Sequence, residues 1–234
     1  FVFFVIVVAG GLGGEPAAVE LVGGDRGGLD RDEGQRLIAV VGDGVVGGRR
    51  DQDEVADLDA HPAAAMLYSR TRWWHDGVRG HDFTERLGVA ADRVHAPPYL
   101  LNRVILLAQG DIPCTCGVLL RKLAIDEVGG FEERFALYED QSLWAKILLA
   151  YPAYVSKSCH ARYRQHAGST SARAEATGDY DRYRTHAAQE AFFNWREAYV
   201  QEHGGDPSVL ATLERARVRS RRAAPTVPGG RFLC

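Results

Sequence analysis

The chain has 234 residues, 46% hydrophobic and 25% charged, with a formal net charge of −3. That length sustains one sizeable core with at most a small appendage, and the mild acidity excludes a general pull toward nucleic acid or anionic membrane. No apolar run approaches the roughly 18 residues a membrane span needs.

Residues 1–50 hold 13 of the 26 glycines and lack Lys, Ser, Thr, Asn, His, Cys, Tyr and Trp. Such a break marks a linker, a low-complexity segment or a translated region outside the natural reading frame. The whole chain has 25 Arg against three Lys, which points to a G+C-rich gene, where wrong-frame translation yields such a mixture. Within this segment FVFFVIVV (1–8) reads as a buried strand, too short and too poor in flanking base for a signal peptide. The glycines after it do not make a phosphate loop, because Gly11-x-Gly13 is followed by Pro16 and no Gly-Lys-Ser/Thr appears. Residues 36–46 read as a second buried strand.

From residue 52 the pattern sharpens. DEVADLDAHP predicts a short helix stopped by Pro62, and AAAMLYS a strand. RTRWWHDGVRGHDF reads as a polar, aromatic-rich loop broken by Gly77 and Gly80. PPYLLNRVILLAQG predicts a helix that opens on prolines and ends at Gly110. CTCGVLL reads as a strand and RKLAIDEVGGF as a short helix closed by Gly129-Gly130. A helix over Asp140–Ala150 follows, then a strand-like AYVSKSCHARYRQH and a small-residue loop, AGSTSA. A long helix from Asp179 aligns Phe192, Trp195 and Tyr199. Asp206-Pro207 opens a last helix, which runs into a basic tail. Alternating helices and strands predict an α/β fold on a mainly parallel or mixed sheet.

The cysteines, Cys114, Cys116, Cys159 and Cys234, form neither a CxxC nor a zinc ligand set. They read as reduced thiols of a cytoplasmic protein. Glu139-Asp140 stands out as paired carboxylates at a helix start, where free N–H groups and the positive dipole end favour the ionised form. The pair can be a cap or a base.

Four segments taken in order, LDAHPAAAMLYS (58–69), CTCGVLLRKLAIDEVGGFEERF (114–135), YEDQSLWAKIL (138–148) and YRQHAGSTS (163–171), resemble the second half of the catalytic domain of family 2 glycosyltransferases. The resemblance covers residues 55–172. It implies a GT-A-like, Rossmann-like mixed sheet flanked by helices, incomplete at its N-terminus. A helical extension over 173–234 would follow, and residues 1–54 stand in the donor-half position. It further implies an inverting enzyme, bacterial and acting in glycan assembly, that moves a sugar from a nucleotide-sugar donor to a glycan or lipid-linked acceptor. Asp140 would be the base, with Glu139 orienting the acceptor. Arg164, Cys116 and Trp74 would line the substrate site, and His166 would meet a Mg2+ or Mn2+ ion at the diphosphate. No nucleic-acid partner and no membrane span are expected, and peripheral membrane contact is compatible with the chain.

The family's DxD metal motif should precede His61-Pro62 by some twenty residues, and that window, LIAVVGDGVVGG, offers only Asp43. Asp51-x-Asp53 and Asp57-x-Asp59 have the letters but sit too close to His61, inside the predicted helix. The alternative expectation is a non-catalytic α/β domain that binds a glycan or a partner through the same cleft. ERARVRSRR (214–222) is read as a solvated helix end in preference to a nucleic-acid contact.

Overall fold

The computed structural model describes the backbone of residues 4–8, 19–22, 37–41, 50–75, 81–135, 137–159, 161–165, 170–181 and 186–222, with side chains from residue 53 onward except at 170 and 171. Its strands in chain order are β1 (Phe4–Val8), β2 (Val19–Val22), β3 (Leu37–Val41), β4 (Met66–Tyr68), β5 (Thr71–His75), β6 (Phe83–Thr84), β7 (Arg93–His95), β8 (Val118–Arg121), β9 (Ala153–Val155) and β10 (Ala161–Gln165). The α-helices are α1 (Arg50–Asp59), α2 (Lys122–Glu127), α3 (Glu139–Ala150), α4 (Thr170–Thr177), α5 (Ala187–Glu202) and α6 (Pro207–Arg222).

Seven strands form one mixed sheet in the order β2-β1-β3-β8-β4-β9-β7. Its β4–β9 pair is parallel, and its remaining pairs are antiparallel. β10, β5 and β6 form a second mixed sheet, parallel between β10 and β5 and antiparallel between β5 and β6. The fold is therefore mixed α/β, with more antiparallel pairing than the alternation of elements suggests. Among the first three strands β1 lies in the middle and pairs antiparallel with both β2 and β3.

The central strands are nearly continuous apolar runs because both faces of the sheet are covered. Alternation along them sorts the core into two layers. Met66, Tyr68, Val118, Leu120, Ala153 and Val155 share one cluster with Leu143, Trp144 and Ile147 of α3 and with Phe192 and Val209 of the last two helices. Leu67, Leu119 and Tyr154 turn the other way, onto Leu58 of α1. Arg121 closes that side, donating from Nε to Ala64 O (2.9 Å) and from Nη2 to Leu58 O (2.7 Å). The C-terminal helices are thus built into the main core. One core then comes from segments far apart in sequence.

Several expectations change. The stretch read as an aromatic-rich loop contains β5 and the first residue of β6, because β10 supplies a distant partner that local sequence does not announce. CTCGVLL is not one strand: Thr115–Gly117 form a 3-10 turn before β8 starts. A Cβ at Gly117 would lie 2.6 Å from Thr71 Oγ1 and 3.1 Å from Ser69 O, so the turn presses directly on the start of β5. AYVSKSCHARYRQH splits into β9 and β10, which belong to different sheets. Part of the small-residue loop is helical in α4, and the helix expected from Asp179 begins at Ala187. The helix after Pro97-Pro98 forms as a short π-helical segment, Leu101–Leu106, with Leu101, Val104, Ile105 and Leu106 buried. Both DxD-like pairs lie within α1. The Gly129-Gly130 stop holds: both have positive φ (77° and 66°), and Gly130 N–H returns to Ile125 O at 2.9 Å.

Candidate functional site

The start of α3 is unusual. Its N-cap position is Tyr138, at φ 71° and ψ 13°, a left-handed conformation that costs a non-glycine residue energy. No side chain caps the helix there. Asp140 therefore lies inside the first turn instead of capping it, and its Oδ1 accepts from Gln141 N–H at 2.6 Å. Ser142 fastens the same turn, donating from Oγ to Glu139 O (2.6 Å) and accepting from Glu132 N–H (3.3 Å).

Both acids are half-buried. Burial pushes Asp140 up to about 6, against the opposing hydrogen bond from Gln141 N–H. It also pushes Glu139 up to about 7, with the neighbouring Asp140 charge adding to the effect. The helix end does not lower these values, because desolvation outweighs the N–H groups.

Tyr138 is anchored by the C-terminal helices. Its ring stacks on Phe192 at 4.8 Å and 8°, and its hydroxyl is 3.0 Å from His186 Nε2. Tyr180 meets both Tyr138 and His186 edge-on. His186 Nδ1 is buried and has no hydrogen-bond partner among the described residues, and burial lowers the imidazole's pKa despite Asp181 nearby. Behind the helix, Lys146 (side chain 4% exposed) pairs with Glu132 at 2.7 Å and donates to Gly130 O at 3.0 Å. This ties the GGF segment to α3.

Four-residue spacing puts Asp140 on the same helix face as Trp144, whose indole N–H donates to Pro113 O at 3.2 Å. The 3-10 turn follows directly. There the Cys114 and Cys116 sulfurs stand 3.5 Å apart, and Cys116 Sγ is 4.0 Å from Thr71 Oγ1. Burial and the adjacent thiol hold Cys114 well above the ordinary thiol range, the Cys116 contact contributing most. Next to this turn lies Glu85, 4% exposed, accepting from Thr71 N–H (3.0 Å) and Trp73 Nε1–H (2.9 Å). Burial pushes its carboxyl up to about 7.

The expected site residues fall into separate groups. Glu139 and Asp140 stand together at α3. Cys116 belongs to the 3-10 turn, on the side of β5 that carries Thr71. Trp74 and Arg164 are register partners on β5 and β10, with the guanidinium 5.9 Å over the indole ring. His166 lies outside the described residues. Among the described residues no three His, Cys, Asp or Glu side chains gather to hold a metal ion. Sequence reasoning passed over Tyr138, His186 and Glu85. The one local hint was a tyrosine directly before the acid pair.

No protein-family model matches the chain, and no curated protein matches it.

Proposed function

We infer that the chain is an inverting glycosyltransferase domain in which Asp140 is the acceptor-activating base. An alcohol attacks poorly until its proton is withdrawn as the new bond forms. In this reading Asp140 takes the hydroxyl proton and the acceptor oxygen bonds to the anomeric carbon. The nucleoside diphosphate leaves with the electron pair of the old C–O bond. Glu139, next to it, orients the acceptor. The carrying observation is the carboxyl pair after the left-handed Tyr138, with values of about 6 and about 7. A base works best with a pKa near the operating pH.

Cys116, in the turn beside α3, is the candidate for the acceptor side. Trp74 and Arg164 remain substrate-binding candidates, on β5 and β10. Mg2+ or Mn2+ belongs to the reading with His166 as ligand, and when bound it would neutralise charge on the departing diphosphate. The proton transfer assigned to Asp140 is independent of it. A cytoplasmic location, a nucleotide-sugar donor and a glycan or lipid-linked acceptor complete the proposal. No helix among the described residues is long and apolar enough to cross a membrane.

The second reading, a non-catalytic glycan- or partner-binding domain, draws on the antiparallel pairing of β1, β2 and β3, which is not a parallel βαβ nucleotide unit. Titration with UDP and Mn2+, and diphosphate release from a panel of nucleotide-sugars, separate the two. Metal-dependent turnover lost in Asp140→Asn supports the transferase. Absence of any nucleotide binding supports the binding domain.

A further inference from the structure

The two faces of the three-stranded sheet differ in chemistry. Strand alternation and the β5–β10 register put Thr71, Trp73, Ala161 and Tyr163 on one side, buried or half-buried. The other side carries Arg72, Trp74, Arg162 and Arg164, with Thr84 of β6 beside Arg72. All of these are exposed except the half-buried Trp74.

Asp82 answers Arg72 at 3.1 Å. The Arg162 side chain makes no hydrogen bond or ion pair among the described residues. Same-face positions on a strand lie about 7 Å apart and neighbouring strands about 4.8 Å apart, so Trp74, Arg72, Arg162 and Arg164 stand at the four corners of one patch, with Arg72 and Arg164 next to the indole and Arg162 diagonal to it.

Arginine recognises planar carboxylates with two parallel N–H bonds, and an indole offers a flat apolar surface to a ring laid on it. An open sheet face gives one-sided contact, which suits an extended chain better than a small molecule that needs enclosure. Single-stranded nucleic acid is the poorer fit. Such faces stack successive bases on several aromatic rings, and this one has a single tryptophan.

We propose that this outer face of the β10-β5-β6 sheet binds an acidic glycan chain, with one sugar ring on Trp74 and a uronate carboxylate at Arg162. This goes beyond the transferase reading and requires no turnover. If the surface serves a transferase, it holds a charged acceptor or product away from the acid pair.

The test is calorimetric titration of the full chain with oligogalacturonate, with neutral dextran and an oligothymidylate as comparisons. Oligogalacturonate binds, its affinity falls as salt rises, and Arg162→Glu and Trp74→Ala each weaken it by about tenfold or more without lowering the melting temperature. Asp140→Asn leaves binding unchanged, so the result is independent of whether the chain turns over nucleotide-sugars. Four outcomes overturn the proposal: no binding of oligogalacturonate, dextran binding as tightly, oligothymidylate binding more tightly, or binding that Arg162→Glu leaves unchanged.

Discussion

At Asp140 the positive end of α3 and the Gln141 amide favour the charged carboxylate while burial opposes it, and burial wins. The consequence reaches stability as well as chemistry. A carboxyl whose folded value lies above its unfolded one stabilises the fold at low pH, and that contribution is lost as pH rises from the ordinary range near 4 to about 6 at Asp140 and about 7 at Glu139. Asp140→Asn keeps an acceptor for Gln141 N–H and removes the charge. At pH 8 it raises stability by about 1–2 kcal/mol and at pH 4 by nothing measurable, read by urea unfolding at both values. A variant less stable than wild type at pH 8 would mean that the carboxylate has a favourable partner. Glu85 makes a second residue-scale case. Glu85→Ala strips two buried donors, Thr71 N–H and Trp73 Nε1–H, of their acceptor and costs about 2–4 kcal/mol, whereas Glu85→Gln keeps one acceptor oxygen and costs less. Comparative denaturation of the two variants checks the order.

Among the elements, α3 was the most legible, because its apolar face, its acidic first turn and the glycine stop before it are all local signals. β5 was hidden. Each of its faces mixes a tryptophan with polar residues, so neither reads as an apolar stripe, and its partner β10 comes much later in the chain. The 3-10 turn at Thr115–Gly117 was also hidden, since its cause is the close approach of Thr71 and Ser69 to Gly117. The same distance in sequence concealed His186, whose role exists only once α5 packs beside Tyr138. For the hold on α3, the buried Lys146–Glu132 pair is the measurable element. Burial by itself would raise Glu132, but Lys146 and Arg134 outweigh it and keep the carboxyl below its usual range. Its contribution is therefore present at neutral pH and lost as pH falls through that lowered value. Lys146→Ala costs about 2–4 kcal/mol at pH 7 and less at pH 4, measured by thermal unfolding. An equal loss at both values would show that Lys146 acts through its bond to Gly130 O and its apolar stem, and not through the Glu132 charge.

Across the whole molecule, the acid pair, the central sheet and the last two helices share one core, so they should unfold together. Phe192 is 1% exposed and touches Tyr138, Phe135 and Trp195. Phe192→Ala costs about 3–5 kcal/mol and shifts a single transition seen alike by far-UV and near-UV signals. Separate transitions would make α5 and α6 an independent unit. Arg196 on the same helix is 6% exposed and lies over the Phe192 and Phe193 rings at 4.2 and 4.6 Å, with its Nε unpartnered among the described residues. Burial lowers it to about 9. The fold thus carries an expensive buried cation one stacked ring away from Tyr138, in the layer that supports the acid pair. The role of Asp140 is measured by diphosphate release from nucleotide-sugars between pH 5 and pH 8, for wild type and Asp140→Asn side by side. With Asp140 as the base, turnover in the wild type rises with pH to half its maximum near 6 and falls about a hundredfold or more in a variant that is folded and no less stable. Undiminished turnover in Asp140→Asn, or a rate flat across that range, would contradict that role.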